Sequence, residues 1–129
     1  MPDDSKLETI PVGSLGIVAH KSCTKLGEKV DHYLVKWRAN RKNENKSTIV
    51  FHGYEKDTYL IDTACPRFGS GEAKGVINES VRGKDIYVMV DVGNYSCTYQ
   101  MAGQPQRMSP DDHYADLKRI LSAMTDKPR

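Results

Sequence analysis

Apolar residues along this chain fall into short runs separated by polar stretches. Leu15-Gly-Ile-Val-Ala19 is the first run and reads as a strand. Leu26, Val30, Tyr33, Leu34 and Trp37 then recur at steps of three and four, the stripe of an amphipathic helix. Ser22 or Thr24 is placed to cap its start, and the period fades near Arg38. Residues 39–48 are polar and read as a connection, and residues 1–10 as a loose terminus. Thr48-Ile-Val-Phe51 and Thr58-Tyr-Leu-Ile-Asp62 are short and rich in β-branched and aromatic residues, which predicts strands. Phe68-Gly-Ser-Gly-Glu72 reads as a hairpin turn whose glycines accept positive φ, with Ala73 to Ile77 returning as the partner strand. Ile86 to Val92 is nearly all apolar, as a strand covered on both faces would be. Residues 93–108 carry Gly, Asn, Gln and Pro and predict a long loop. Ser109-Pro-Asp-Asp112 is a helix start: a capping hydroxyl, a proline suited to the first turn, and two acids at the positive end of the dipole. Tyr114, Leu117, Ile120, Leu121 and Met124 form the inward stripe of that helix.

The order β, α, hairpin, β, α is the opening of an α/β sheet. The chain ends at Lys127-Pro-Arg129, where a following strand is due. The apolar face of 114–124 therefore needs a cover, either this chain's own sheet or a second copy, so a homo-oligomer is expected. The 129 residues suit one domain with a modest core, at 38% hydrophobic and 28% charged residues. No run is long enough to span a membrane, and the N-terminus lacks a basic-then-apolar signal, so a cytoplasmic protein without a membrane partner is expected. The net charge of +2 decides little by itself. The basic residues are scattered, and the densest group, Lys36 to Lys46, is interleaved with Asn and Glu, so no nucleic-acid partner is expected. Cys23, Cys65 and Cys97 form no CxxC pair and read as free thiols filling apolar space.

The candidate chemistry is sparse. His20, His32, His52 and His113 stand alone in sequence, and no metal motif is present. Asp111-Asp112-His113 invites an acid–base reading, but adjacent helical residues point apart, so the dipole explains the acids better. There is no GxxxxGK[ST], and Gly69-Ser-Gly71 lies between strands instead of leading into a helix. The tip at 68–72 remains. A ring and a carboxylate presented together can hold a planar heterocycle by stacking and hydrogen bonding; the same turn also serves a purely structural role.

Phe68-Gly-Ser-Gly-Glu72, followed by Ile77-Asn-Glu-Ser-Val-Arg-Gly-Lys-Asp-Ile-Tyr-Val88, resembles the ribose-phosphate pyrophosphokinase family (phosphoribosyl pyrophosphate synthetases). The family pattern is Phe-Pro-Asp-Gly-Glu, a strand, then Glu-Ser-Val-Arg-Gly-Lys-Asp and a buried strand. The resemblance covers most of residues 13–126, and 39–57 and 93–108 are similar to insertions of a longer bacterial branch. It implies a partial phosphoribosyltransferase-like (Rossmann-like) domain with a protruding β-hairpin. Residues 1–129 would be the N-terminal portion, without the C-terminal catalytic domain. The implied reaction transfers diphosphate from ATP to ribose 5-phosphate with magnesium, giving phosphoribosyl pyrophosphate and AMP. By the same analogy Phe68 stacks on adenine, Glu72 accepts from the adenosine, and Ser70 stands where the family has an acid. Ser80 and Arg82 match positions that help bind a regulatory phosphate. No catalytic or metal residue is expected in this chain, since those segments lie beyond it, and the chain alone is expected to be inactive. A non-catalytic regulatory subunit of the family, or a nucleotide-binding module, are the competing readings.

Overall fold

The first apolar run folds as a strand, β1 (Ser14–Ala19), in a computed structural model that describes residues 13–43 and 56–125. The expected strand at 48–51 and both chain ends lie outside the described residues. β4 (Lys84–Met89) runs parallel to β1, in register from Ser14↔Lys84 to Ala19↔Met89. On the other edge of β1, the Ile17 N–H donates to the Tyr59 carbonyl and the Ile61 N–H to the Ile17 carbonyl, both at 2.8 Å. This parallel bridge is what becomes of the strand expected at 58–62.

Successive residues of a strand face opposite sides, so β1 presents two surfaces. Ala19 meets α1 (Thr24–Asn43). The approach is close enough that a Cβ on Gly27 would stand 2.5 Å from that of Ala19. Asp31, one turn on, is buried and accepts from the Thr58 hydroxyl (2.7 Å) and the Tyr59 N–H (2.6 Å). Helix α1 thereby holds the 58–61 segment against β1. Val18 faces the other way, into a core with Ile61, Val81, Ile120 and Met124, and Cys65, Ile77, Ile86 and Val88 pack around it. Ile120 comes from α2 (Pro110–Ala123), and Met124 is the residue that caps its C-terminal end. Burying each contributes about 1.5–3 kcal/mol. The start of α2 is as the sequence predicts. Ser109 and Asp112 exchange hydrogen bonds in a capping box, with Pro110 in the first turn.

Two antiparallel pieces complete the chain. β2 (Thr63–Ala64) pairs with β3 (Val76–Ile77) at the base of the expected hairpin. β5 (Thr98–Met101) pairs with β6 (Gln104–Arg107). The molecule is thus a mixed α/β structure of small parallel and antiparallel sheets with α1 and α2 on opposite faces.

Several expectations need correction. Within the 93–108 stretch, expected to be a loop, residues 98–107 form a hairpin; Ala102 (φ 50°) and Gly103 (φ 78°) form its tight turn, the geometry that suits the twist of paired strands. Helix α1 runs on to Asn43, through part of the predicted polar connection. Leu26 (55% exposed), Tyr33 and Trp37 of its stripe face outward, because the close approach at Gly27 and the bonds of Asp31 decide which face meets the sheet. Ser22 lies in a 3₁₀ turn, Lys21–Cys23, and Thr24 closes that turn. On α2, Tyr114 and Leu121 are exposed while His113 and Asp116 are buried. β4 is not covered on both faces, since Tyr87 is 66% exposed.

Candidate functional site

The tip at 67–72 is built from its glycines outward. The Phe68 N–H donates to the Glu72 carbonyl (2.8 Å) and the Gly71 N–H to the Phe68 carbonyl (2.9 Å). Gly71 has φ +92°, a conformation that side-chain-bearing residues rarely adopt. This is a three-residue loop closed by a glycine in the left-handed region. Phe68 is half exposed at the tip, and Ser70 and Glu72 are exposed beside it. The ring and the carboxylate are therefore both presented to solvent. Ser80 and Arg82 are exposed in the turn before β4, where the Arg82 N–H donates to the Ser80 hydroxyl at 3.4 Å. Gly83 (φ +73°) completes the turn. Nearby, Lys84 reaches Glu79 at 3.4 Å.

Beneath the tip lies a cluster that no sequence spacing announces. Arg67, at the start of the tip, has a side chain only 7% exposed. Its Nη1 donates to the Gly71 carbonyl (2.8 Å) and its Nη2 to the Asp116 carboxylate (3.2 Å). The guanidinium lies 4.1 Å from the centre of the Tyr99 ring. Asp116, on α2, is fully buried. Its Oδ1 also accepts from Arg119 (2.8 Å), and its Oδ2 lies 2.8 Å from His20 Nε2. Because the Ser22 N–H donates to His20 Nδ1 (3.2 Å), the proton of the neutral ring sits on Nε2 and is given to Asp116. Burial pushes the Asp116 carboxyl up, but the His20 hydrogen bond and the charges of Arg67 and Arg119 outweigh it, so the group is held below the usual carboxylate range. His113 packs edge-on to His20, 5.5 Å between ring centres, and its Nε2 meets the Asn94 carbonyl at 2.7 Å. His20 and His113, isolated in sequence, thus meet at the head of α2.

This cluster includes a set of donor atoms with metal-binding composition. His20, Cys65 and Asp116 offer one atom each, all within 4.8 Å of one another. Two features weigh against a cation there. Arg67 and Arg119 already neutralise the carboxylate. The Cys65 thiol is also pushed up to about 11, by burial and then by the Asp116 charge, so it holds its proton at neutral pH. Magnesium fits worse still, since it takes hard oxygen ligands in an octahedron. The three cysteines are free, as expected, and half-buried.

The second hairpin touches the first. The Ala102 N–H donates to the Gly69 carbonyl at 3.0 Å, and a Cβ on Gly71 would stand 2.9 Å from Met101 Sδ. On the far side of the sheet a groove of about 370 Å³ runs beside α1, with Leu34, Trp37, Arg38, Asp85 and Tyr87 among its walls. None of the expected site residues line it. No helix among the described residues is long and apolar enough to cross a membrane.

The fold and the site together define an α/β domain that projects an ordered ring-and-carboxylate hairpin from a charge-compensated base. The family model for the N-terminal domain of ribose phosphate pyrophosphokinase matches residues 15–127, and the chain belongs to that family. No curated protein and no solved structure matches it.

Proposed function

We propose that this chain is the N-terminal portion of a ribose-phosphate diphosphokinase of the phosphoribosyltransferase-like fold, and that its 67–72 hairpin contributes the adenine contact of the ATP site. The observation that carries the reading is the half-exposed ring of Phe68, held on a tip whose backbone is closed by two hydrogen bonds. A backbone already closed at the tip leaves less to order when the ring stacks on a heterocycle, and ordering is where affinity is usually lost. Glu72 accepts from the adenosine moiety. Ser70 contributes a hydroxyl where the family has an acid, so it hydrogen-bonds without adding charge. Ser80 and Arg82 form a regulatory phosphate contact through the exposed turn before β4.

The reaction moves diphosphate from ATP to ribose 5-phosphate, giving phosphoribosyl pyrophosphate and AMP. Such transfer needs metal, cationic clamps and aligned phosphates. The described residues offer magnesium no oxygen-rich site, so in this proposal the metal and the catalytic groups belong to a C-terminal domain and these 129 residues are inactive alone. The working protein is a cytoplasmic homo-oligomer. AMP production from ATP and ribose 5-phosphate by the purified chain would overturn the assignment of inactivity. Titration calorimetry tests the adenine contact: ATP is expected to release heat with the wild type and much less with Phe68→Ala, and equal heats would remove Phe68 from the site.

A second reading is favoured by one observation. The tip carries no acid at position 70, and Gly69 replaces the family proline. A non-catalytic regulatory subunit that kept the fold would tolerate both changes. The same AMP assay on the chain joined to its C-terminal domain separates the two, since turnover is expected only of the enzyme.

A further inference from the structure

The hairpin tip does not stand alone, and its supports come from three distant parts of the chain. Arg67 ties the tip's Gly71 carbonyl to the buried Asp116 of α2. The Arg67 guanidinium carbon stands over the Tyr99 ring of β5, 4.1 Å from its centre. The β5–β6 turn donates from Ala102 to Gly69, within the tip itself, and Met101 fills the space beside Gly71. His20 and Arg119 hold Asp116 in turn. A charged side chain with 7% exposure is costly to bury unless it is paired and hydrogen-bonded. Here both terminal nitrogens are paired, one to the tip and one to the frame, while the buried Nε has no hydrogen-bond partner.

We propose that Arg67 and the β5–β6 hairpin act together as a positioning clamp for the Phe68–Glu72 tip, setting the pose in which the ring and the carboxylate meet the nucleotide. The inference rests on the nucleotide reading above for its functional half; the mechanical half stands on the contacts alone. Arg67 touches no ligand in this scheme and acts through Phe68 and Glu72. The planar guanidinium is required because it serves the carbonyl, the carboxylate and the ring face at once, which an ammonium cannot do. Tyr99 contributes its face to the cation, and the β5–β6 turn limits the tip's travel from the other side.

The test uses the full 129-residue chain in three forms, wild type, Arg67→Lys and Tyr99→Leu, with Phe68→Ala as the ligand-contact control. Hydrogen exchange is read at the Phe68 and Gly71 amides of the tip and at the Ile17 and Ile61 amides of the central sheet. Both clamp variants are expected to speed exchange at the tip by roughly tenfold while leaving the sheet amides unchanged. Phe68→Ala is expected to leave tip exchange as it is. Tip exchange unchanged in both clamp variants, or faster exchange spread equally over the sheet, would overturn the clamp. Tyr99→Leu keeps that outcome readable where Arg67→Lys weakens the whole fold. ATP calorimetry then supplies the functional arm. Arg67→Lys is expected to weaken binding severalfold in the wild-type background and to have no further effect in a Phe68→Ala/Glu72→Ala background, because it acts through those two side chains. An effect of Arg67→Lys that persists without both side chains would show a direct ligand contact and end its assignment as a positioning residue. If wild type binds no ATP, the nucleotide reading fails, while the exchange data still decide whether the clamp exists.

Discussion

Two aspartates are buried among the described residues, one on each helix, and they are satisfied in opposite ways. Asp31 of α1 takes neutral donors, the Thr58 hydroxyl and the Tyr59 N–H, both from one neighbouring segment. Asp116 of α2 takes two guanidiniums and a histidine that arrive from the tip, from its own helix and from the end of β1. The first pins a strand edge to a helix. The second gathers the 67–72 hairpin and the central strand onto one carboxylate. A buried charge held by neutral dipoles and one held by counter-charges differ in what their loss exposes. Removing Asp31 costs hydrogen bonds, whereas removing Asp116 leaves buried cations uncompensated.

That contrast yields an ordered set of tests. Asp116→Ala is expected to destabilise the chain by about 3–5 kcal/mol in urea unfolding, because Arg67 keeps its charge in a site closed to water. A loss no larger than that of Asp31→Ala would break the distinction between the two carboxylates. Asp31→Ala is expected to cost about 1–3 kcal/mol, the range for taking away the acceptor of buried hydrogen bonds. Acid sharpens the comparison further. Asp116 titrates below its unfolded value near 3.9, so as pH falls the unfolded chain binds that proton first. Stability from this group is therefore complete above about pH 4 and is lost progressively below it. Unfolding midpoints measured from pH 5 to pH 3 should fall in the wild type and fall less steeply in Asp116→Asn. The smallest effect is expected at the cap. Ser109→Ala removes one half of the capping box of α2 and should cost about 1 kcal/mol. A much larger loss would mean that α2 owes its position to its first turn more than to Asp116.

Much of the frame was legible in the sequence because its signals are local. Ser109-Pro-Asp-Asp112 announces a helix start through residues that touch one another, and Phe68-Gly-Ser-Gly-Glu72 announces a tip through the backbone freedom of Gly71. The family resemblance was legible for the same reason, since its motif is contiguous. In helix α1 the size of an apolar side chain is a poor sign of its burial. Its inner face is set by what is small at Gly27 and what is bonded at Asp31, and the large Tyr33 and Trp37 turn outward. The β5–β6 hairpin was obscured by Pro105 and by a turn whose first residue is alanine, although Ala102-Gly103 between alternating residues was the available clue. The cluster around Asp116 could not be read from spacing at all. His20, Arg67 and Asp116 are brought together only by tertiary folding, and each is unremarkable beside its sequence neighbours.

The parallel pairing that joins Ser14 to Lys84 has a consequence for how the chain acquires its shape. Helix α1 and the 63–77 hairpin lie within one excursion between adjacent strands. The entropic cost of closing such an excursion rises only with the logarithm of its length, so added residues there burden stability lightly. The kinetic burden is heavier, because the central pair cannot form until distant segments meet, whereas a hairpin can form within microseconds. The tip therefore belongs to a segment free to change length and chemistry while the strands that frame it stay in register.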